Sequence, residues 1–192
     1  HQQIGTGYVD DHMSIAGMGD SVGVGWDYAT HSRFTVVKDS SEGNIYDIDN
    51  VAGYDRVNII ADSSGNRFWA ITRCYTGGCD TANVRYNYTT DKGDTWTKGW
   101  VDSIGHKYIR IGGFPFIDDN PAVMIFNYQD DWVKWYRWNG SSFVKDADSL
   151  IESGDDVGSE DKRAMTFNGY INGSDTLMFY VWGDGNYLRC NW

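Results

Sequence analysis

Short apolar segments are separated by polar, turn-forming residues along the chain, and these segments recur in four copies of one pattern. Each copy has an apolar segment, a turn of Gly, Asp or Asn, an aromatic-rich second segment, a loop and a third segment. Many Gly and aromatic residues with few long aliphatic runs favour short β-strands joined by tight turns, and no stretch of twelve or more residues keeps the apolar spacing of an amphipathic helix. The predicted strands are Met13–Met18, Val22–Tyr28 and Arg33–Val37; Val57–Ala61, Arg67–Thr72 and Asn83–Tyr88; Ile109–Phe116, Ala122–Asn127 and Val133–Trp138; and Ala164–Tyr170, Thr176–Val181 and Tyr187–Asn191.

The spacing of the copies predicts a fold. First strands recur about every 44 to 55 residues, close to the ~40–50 residues of one four-stranded propeller blade. We therefore predict an all-β chain, a β-propeller with four blades of about four antiparallel strands in a single domain, residues 1–192. The predicted blades cover approximately residues 10–50, 51–103, 104–150 and 160–192. The fourth copy ends after its third strand, so a strand at residues 2–9 is expected to close the ring. The alternative is a fragment of a larger propeller.

The second copy carries the clearest turn motif, Thr89-Thr90-Asp91-Lys92-Gly93-Asp94-Thr95-Trp96. It has the form of the Asp box of BNR repeats, Ser/Thr-x-Asp-x-Gly-x-Thr-Trp. We expect Asp91 to accept backbone N–H bonds, Gly93 to take a positive φ and Trp96 to pack between sheets. A decayed version spans residues 136–143. The motif predicts fold and orientation, not chemistry.

Composition narrows the class of function. The net charge is −11, and a chain this acidic is a poor candidate for nonspecific binding to nucleic acid, which needs clustered Lys and Arg. No apolar run reaches the roughly 18 residues of a membrane-spanning helix, so we expect no membrane insertion. The N-terminal His-Gln-Gln is neither an initiator Met nor a signal peptide, which indicates a processed or excised chain.

Three cysteines and three glycosylation sequons bear on the compartment. Cys74 and Cys79 bracket four residues and are predicted to form a local disulfide; two reduced thiols in a turn are the alternative. Cys190 is left over. The sequons at Asn87, Asn139 and Asn172 fit an extracellular, secreted or virion-surface protein, although Asn-Gly is also a turn signal.

The candidate site residues lie in loops. In propellers the loops before strand one and after strand two share the face over the central cavity, opposite the Asp-box turns. Here those loops hold most of the His and several Arg and Lys of an acidic chain, which we interpret as a partly cationic bowl for an anionic ligand. The alternative is that they are solvated loop residues. The candidate catalytic residues are His12, His31 (predicted to end the second strand), Arg73 and Tyr128. The candidate substrate-binding residues are Arg56, Lys107, Tyr108, Arg163 and Trp182.

Over its first two copies the sequence resembles the BNR-4-type propellers, a group that includes ulvan-type polysaccharide lyases. The resemblance is carried by Asp10-Asp11-His12, by His31, and by Asp62–Asn66 with Phe68–Arg73 and the Asp box. It implies β-elimination on a uronate polysaccharide, with His12, His31 and Tyr128 exchanging protons and Arg73 neutralising the carboxylate. Such relatives have about seven blades, and this chain has four predicted copies.

Other functions stay open. A non-catalytic glycan-binding or attachment module, such as a lectin-like propeller or a viral or phage receptor-binding head, would stack sugars on exposed Trp132, Trp135 and Trp182. A sialidase is disfavoured, since no arginine triad with a nucleophilic Tyr/Glu pair is found. His1 raises copper binding of the kind used by polysaccharide monooxygenases, but the repeats disfavour it. No cofactor is expected; Ca²⁺ at the acidic clusters is unassigned because none has EF-hand spacing. Additional chains or a homo-oligomer would complete a partial ring.

Overall fold

The computed structural model describes a defined part of the chain. The backbone is described for residues 12–28, 31–39, 41–48, 54–62, 66–74, 84–102, 109–114, 120–127, 132–150, 165–172, 175–184 and 187–191. Within these ranges the side chains are described except at 54–55, 74, 109–110, 112–114, 126–127, 132, 146–150 and 165–191. The predicted strand at residues 2–9 lies outside the described residues.

The first compact unit, His1–Lys107, contains two antiparallel sheets. The first sheet consists of β1 (Met13–Met18), β2 (Ser21–Tyr28), β3 (His31–Lys38), β4 (Ser41–Glu42) and β5 (Tyr46–Asp47). The second consists of β6 (Tyr54–Ala61), β7 (Phe68–Cys74), β8 (Val84–Thr89) and β9 (Thr97–Asp102). Each sheet runs in chain order from β1 or β6, except that both β4 and β5 pair with β3.

The second compact unit, Tyr108–Trp192, also contains two antiparallel sheets in chain order. One consists of β10 (Ile109–Phe114), β11 (Ala122–Asn127), β12 (Trp132–Trp138) and β13 (Phe143–Leu150). The other consists of β14 (Met165–Asn172), β15 (Asp175–Asp184) and β16 (Tyr187–Asn191). The described residues form strands and turns, so the all-β prediction is confirmed, and the fourth copy has three strands as predicted.

The core of the first unit lies between its two sheets. Phe34, Val36 and Ile48 of the first sheet segment pack against apolar side chains of β6 and β7, including Ile59 and Phe68, all at most 6% exposed. Burying one such side chain contributes about 1.5–3 kcal/mol. Glycines of β2 permit this close approach: a Cβ at position 25 would lie 2.7 Å from the Ile59 side chain.

The turn between β8 and β9 is closed by its own polar side chains. The Thr95 amide donates to Asp91 Oδ1 at 2.9 Å, and the Thr95 hydroxyl donates to Asp91 Oδ2 at 2.5 Å. Thr89 Oγ1 accepts from the Gly93 amide at 2.8 Å, and Gly93 has φ 109°. The Trp96 ring meets Phe34 edge-on at 5.2 Å and thereby packs against the core between the two sheets.

The turn between β12 and β13 is also closed by a polar side chain, with fewer hydrogen-bonding groups. Asn139 Oδ1 accepts from the amides of Ser141 and Ser142, both at 3.0 Å, and Gly140 has φ 99°. The flanking Trp138 and Phe143 rings pack at 5.4 Å. A side-chain oxygen, a glycine and a flanking aromatic therefore recur at the two turns.

Acid is expected to weaken the β8–β9 turn. Hydrogen bonds from Thr95 and Thr89 lower the pKa of Asp91 from 3.8 to about 2. Because the folded pKa lies below the unfolded value, the stabilisation is present above about pH 4 and is lost as the pH falls through about 2. Chemical denaturation at those two pH values should show that acid lowers the free energy of unfolding less in Asp91→Asn than in the unmodified chain. The control is Asp39→Asn, which removes an exposed carboxylate outside the turn, and it should lose as much free energy of unfolding in acid as the unmodified chain does. Equal pH profiles for Asp91→Asn and the unmodified chain would refute the prediction.

Candidate functional site

One end of the first unit collects the polar side chains that the sequence singled out. We call it the His end and define it by His12, the β2–β3 connection at Tyr28 and His31, and the start of β6 at Arg56. Because β6 begins and β7 ends there, the antiparallel order places the β8–β9 turn at the other end of the second sheet. His31 begins β3, so the prediction that it ends the second strand is wrong: Tyr28 pairs with His31 across the hairpin and already closes β2.

The first group of the His end is built around a buried carboxylate. Asp27, 3% exposed, accepts at Oδ1 from the amides of Arg56 at 2.7 Å and Val57 at 3.3 Å. Its Oδ2 lies 3.5 Å from His12 Nδ1. At this distance the carboxylate pairs with the imidazole when His12 is protonated. The His12 side chain remains 36% exposed, so a ligand can reach the ring.

Asp27 also holds an irregular stretch of β6. The register of β6 and β7 shifts between Asp55 and Asn58, and within this bulge Arg56 has φ 57°. A left-handed residue with a side chain is uncommon and persists where surrounding contacts hold it. Here the short bond from the Arg56 amide to Asp27 supplies such a contact. The Arg56 backbone amide in this bulge and the His12 imidazole thus contact the two oxygens of one carboxylate.

The second group of the His end contains a stacked arginine. The Arg33 guanidinium carbon lies 3.6 Å from the centre of the Tyr28 ring, and Arg33 Nε donates to Asp47 Oδ1 at 3.1 Å. His31 Nε2 lies 3.3 Å from the same oxygen, at an angle that makes the contact an ion pair when His31 is protonated rather than a hydrogen bond. The His31 ring also meets Tyr28 edge-on at 5.6 Å. Stacking and pairing fix Arg33 in place while 23% of its side chain stays exposed.

Three of the predicted catalytic residues have described side chains, and these side chains do not lie in one cluster: His12, His31 and Arg73. Neighbouring residues of a strand point to opposite faces of the sheet. Asp27, which contacts His12, faces the second sheet, whereas Tyr28, which contacts His31, lies on the opposite face of the first sheet. Arg73 lies inside β7, one position out of phase with the core residues Phe68 and Ala70, so it points away from the first sheet.

Arg73 is also fully buried, with 0% of its surface exposed. The sequence places it at the loop edge, but β7 continues to Cys74 and encloses it in the sheet. In this structure its guanidinium therefore does not reach solvent to neutralise the carboxylate of a bound uronate.

The other predicted residues divide into two sets. Tyr128, Lys107, Tyr108 and Arg163 lie outside the described residues, as does Cys79 of the predicted disulfide. For Trp182, Trp132 and Cys74 only the strand backbone is described. Trp135 is 4% exposed, so the prediction that it stacks on sugars from the surface is wrong: its side chain fills the blade interior. The Asn87 sequon is likewise closed, because Asn87 is 0% exposed and its amide donates to Ala70 O at 3.3 Å.

Several polar and aromatic residues toward this end of the first unit could not be singled out from the sequence. Asp27 and Arg33 lie inside predicted strands, where they resemble ordinary alternating polar positions. Arg85 and Trp100 face each other across β8 and β9, with the guanidinium carbon 4.1 Å from the ring centre, and Trp100 is 46% exposed. An arginine directly opposite a tryptophan is recognisable only once the strand register is known.

Two kinds of site are absent from the described residues. No three His, Cys, Asp or Glu side chains among them lie close enough to hold a metal ion. In the same part of the chain no helix has the length and apolar character needed to cross a bilayer.

The described residues form four antiparallel sheets in chain order, and together with the solved structures reported next they define the class of protein: the chain has a β-propeller fold. No protein-family model matches the sequence, and no curated protein sequence matches it. Solved structures, in contrast, do match the chain. It is similar to a fructofuranosidase from Schwanniomyces occidentalis in complex with fructosylnystose, with 13% identity and TM-score 0.62 over 95% of this chain and 41% of that one.

Two other solved propellers are similar. AofleA from Arthrobotrys oligospora has 8% identity and TM-score 0.64 over 95% of this chain and 56% of its own. The Hadza microbial sialidase Hz136 has 8% identity and TM-score 0.51 over 91% of this chain and 46% of its own. This chain thus spans about two fifths to three fifths of the length of these structures.

Proposed function

We propose that the chain is a glycan-binding propeller that holds an anionic, uronate-containing polysaccharide at the His end. The observation that carries the proposal is Arg33, a half-buried cation fixed between the Tyr28 ring and Asp47 with His31 beside it. A guanidinium held in this way can form paired hydrogen bonds to a carboxylate with little further loss of side-chain freedom. Two of the similar propellers, the fructofuranosidase and the sialidase, carry names of enzymes that act on carbohydrates, which supports a saccharide ligand.

The layer arrangement favours binding over elimination. β-Elimination requires a base, an acid and a charge neutraliser around one sugar. Here His12 lies between the two sheets, His31 lies on the far face of the first, and Arg73 is enclosed in the second. A surface that binds a chain of sugars needs only separate anchors, which His12, Arg33 and the exposed Trp100 can supply.

Elimination remains a second candidate because of one observation. The Asp27 carboxylate lies 3.5 Å from His12 Nδ1, and the same carboxylate accepts from the Arg56 backbone amide. In this version Arg56 would take the place of Arg73 as the cation that offsets the uronate charge.

Titration calorimetry with polygalacturonate, alginate and ulvan tests the proposal. Because the carboxylate is the recognised group, we expect saturable binding to at least one polyuronate, weakened by salt. Methyl-esterified polygalacturonate, which has the same backbone without the charge, is the matched ligand and should bind at least about tenfold more weakly. Equal binding of the esterified and free polymers, or no binding to any of the three, overturns the proposal.

The same mixtures distinguish binding from elimination. An elimination product carries an unsaturated uronate that absorbs in the ultraviolet, so a module that only binds produces no rise in absorbance. If absorbance rises, His12→Gln should abolish the rise while binding persists, which would establish the second candidate. A rise that is unchanged in His12→Gln would contradict the role given to His12.

A further inference from the structure

A second site lies in the first unit, at the end away from His12. A cavity of about 440 Å³ opens between the outer edge of the first sheet and the β8–β9 turn. This volume is within the range of small-molecule sites. The lining of the cavity includes Glu42, Asn44 and Tyr46 from the edge of the first sheet and Lys92 and Asp94 from the turn.

The wall of the cavity holds a fixed aromatic ring. The Tyr46 hydroxyl donates to Asp94 and accepts from Asn44 Nδ2 at 3.2 Å, and the contact with Asp94 raises the pKa of Tyr46. The ring packs so closely on Gly93 that a Cβ there would lie 2.6 Å from it. An anchored aromatic ring flanked by a carboxylate and an amide suits a hydroxylated ring, because the ring face contacts C–H groups and the polar groups bind hydroxyls.

Charge decides which hydroxylated ring this cavity admits. Four carboxylates line it, those of Asp39, Glu42, Asp91 and Asp94, against the two ammonium groups of Lys38 and Lys92. The Lys38 ammonium is paired with Asp20 at 2.5 Å, which ties one of the two cations to a carboxylate at the rim. The cavity therefore repels the uronate that we propose for the His end and attracts a protonated amine.

We propose that this cavity binds an amino sugar, with the sugar ring against Tyr46, its hydroxyl groups on Asn44 and Lys92, and its protonated amine toward Glu42. The chain would then carry two saccharide sites of opposite charge preference at opposite ends of its first unit. The proposal rests on the cavity and does not depend on the function of the His end.

The test uses glucosamine oligomers and N-acetylglucosamine oligomers of equal length, titrated into the intact chain by NMR. Glucosamine oligomers should bind saturably and shift the Tyr46 ring signals, whereas the acetylated oligomers, which lack the charge, should bind more weakly. Glu42→Gln should weaken glucosamine binding about two- to fivefold, as expected for one exposed ion pair. The same variant should leave polyuronate binding unchanged, which separates this result from that at the His end.

Asp47→Asn is the matched control, because it removes an exposed carboxylate of the same sheet at the His end. It should leave glucosamine binding unchanged. If Asp47→Asn and Glu42→Gln weaken binding equally, the amine is attracted to the acidic surface in general and the proposal is overturned. Unmoved Tyr46 signals at saturation overturn it as well.

Discussion

Replacing Asp27 with Ala is expected to lower the free energy of unfolding by about 3 to 4 kcal/mol, because two amides lose their acceptor in a buried place. The Arg56 and Val57 amides both donate to this carboxylate, and Val57 is 5% exposed. Each buried donor left without an acceptor costs about 1–3 kcal/mol. The left-handed conformation of Arg56 loses its anchor in the same step. Urea denaturation measures the change.

Two further variants sharpen this prediction. Asp27→Asn keeps an oxygen that can accept from both amides, so it should cost less, about 1–2 kcal/mol. Asp47→Ala removes a carboxylate at the same end that is 43% exposed, and it should cost about 1 kcal/mol or less. If Asp27→Ala is no more destabilising than Asp47→Ala, Asp27 does not organise the His end.

Replacing Gly93 with Ala should cost about 3 kcal/mol or more. The backbone at Gly93 has φ 109°, which strains any residue with a Cβ, and that Cβ would lie 2.6 Å from the Tyr46 ring. Gly140→Ala is the matched control, since φ there is 99° and nothing lies within 4 Å of the added Cβ. It should cost only about 1–2 kcal/mol.

A double-mutant cycle separates strain from collision at Gly93. In a Tyr46→Ala background the closest collision is removed and the tight contact with the Phe34 ring at 3.1 Å stays, so Gly93→Ala should cost less than in the unmodified chain but still more than Gly140→Ala. Equal costs for Gly93→Ala and Gly140→Ala in the unmodified chain would show that Tyr46 moves aside freely. That result would also weaken the fixed-ring argument for the cavity.

Much of the fold follows from alternation and turn residues. Three predicted strands, Met13–Met18, Ala122–Asn127 and Tyr187–Asn191, have the observed bounds, because a run containing Asp, Asn or Gly directly precedes each of them. The edge strands β4 and β5 were not predicted. They have two residues each, too few to show a period, and both form by pairing with β3.

The candidate site was harder to predict than the fold. The sequence places His12, His31 and Arg73 near one end of their strands, but the face to which each points depends on register. Asp27 and Tyr28 are adjacent in β2, and this single step separates the group of His12 from the group of His31. Arg73 belongs to neither group, because β7 continues one residue beyond it to Cys74 and its side chain is buried in the second sheet. Such positions depend on pairings between distant segments, which local patterns do not encode.

The most direct test of the central claim, that the His end binds a polyuronate, is the affinity of Arg33→Gln for the polymer that the unmodified chain binds best. Gln keeps much of the side chain over Tyr28 but lacks the charge and the paired donors, so binding should weaken at least about tenfold. Lys145→Gln, which removes an exposed cation on β13, should bind as the unmodified chain does. Unchanged affinity in Arg33→Gln, or an equal loss in both variants, would contradict the claim.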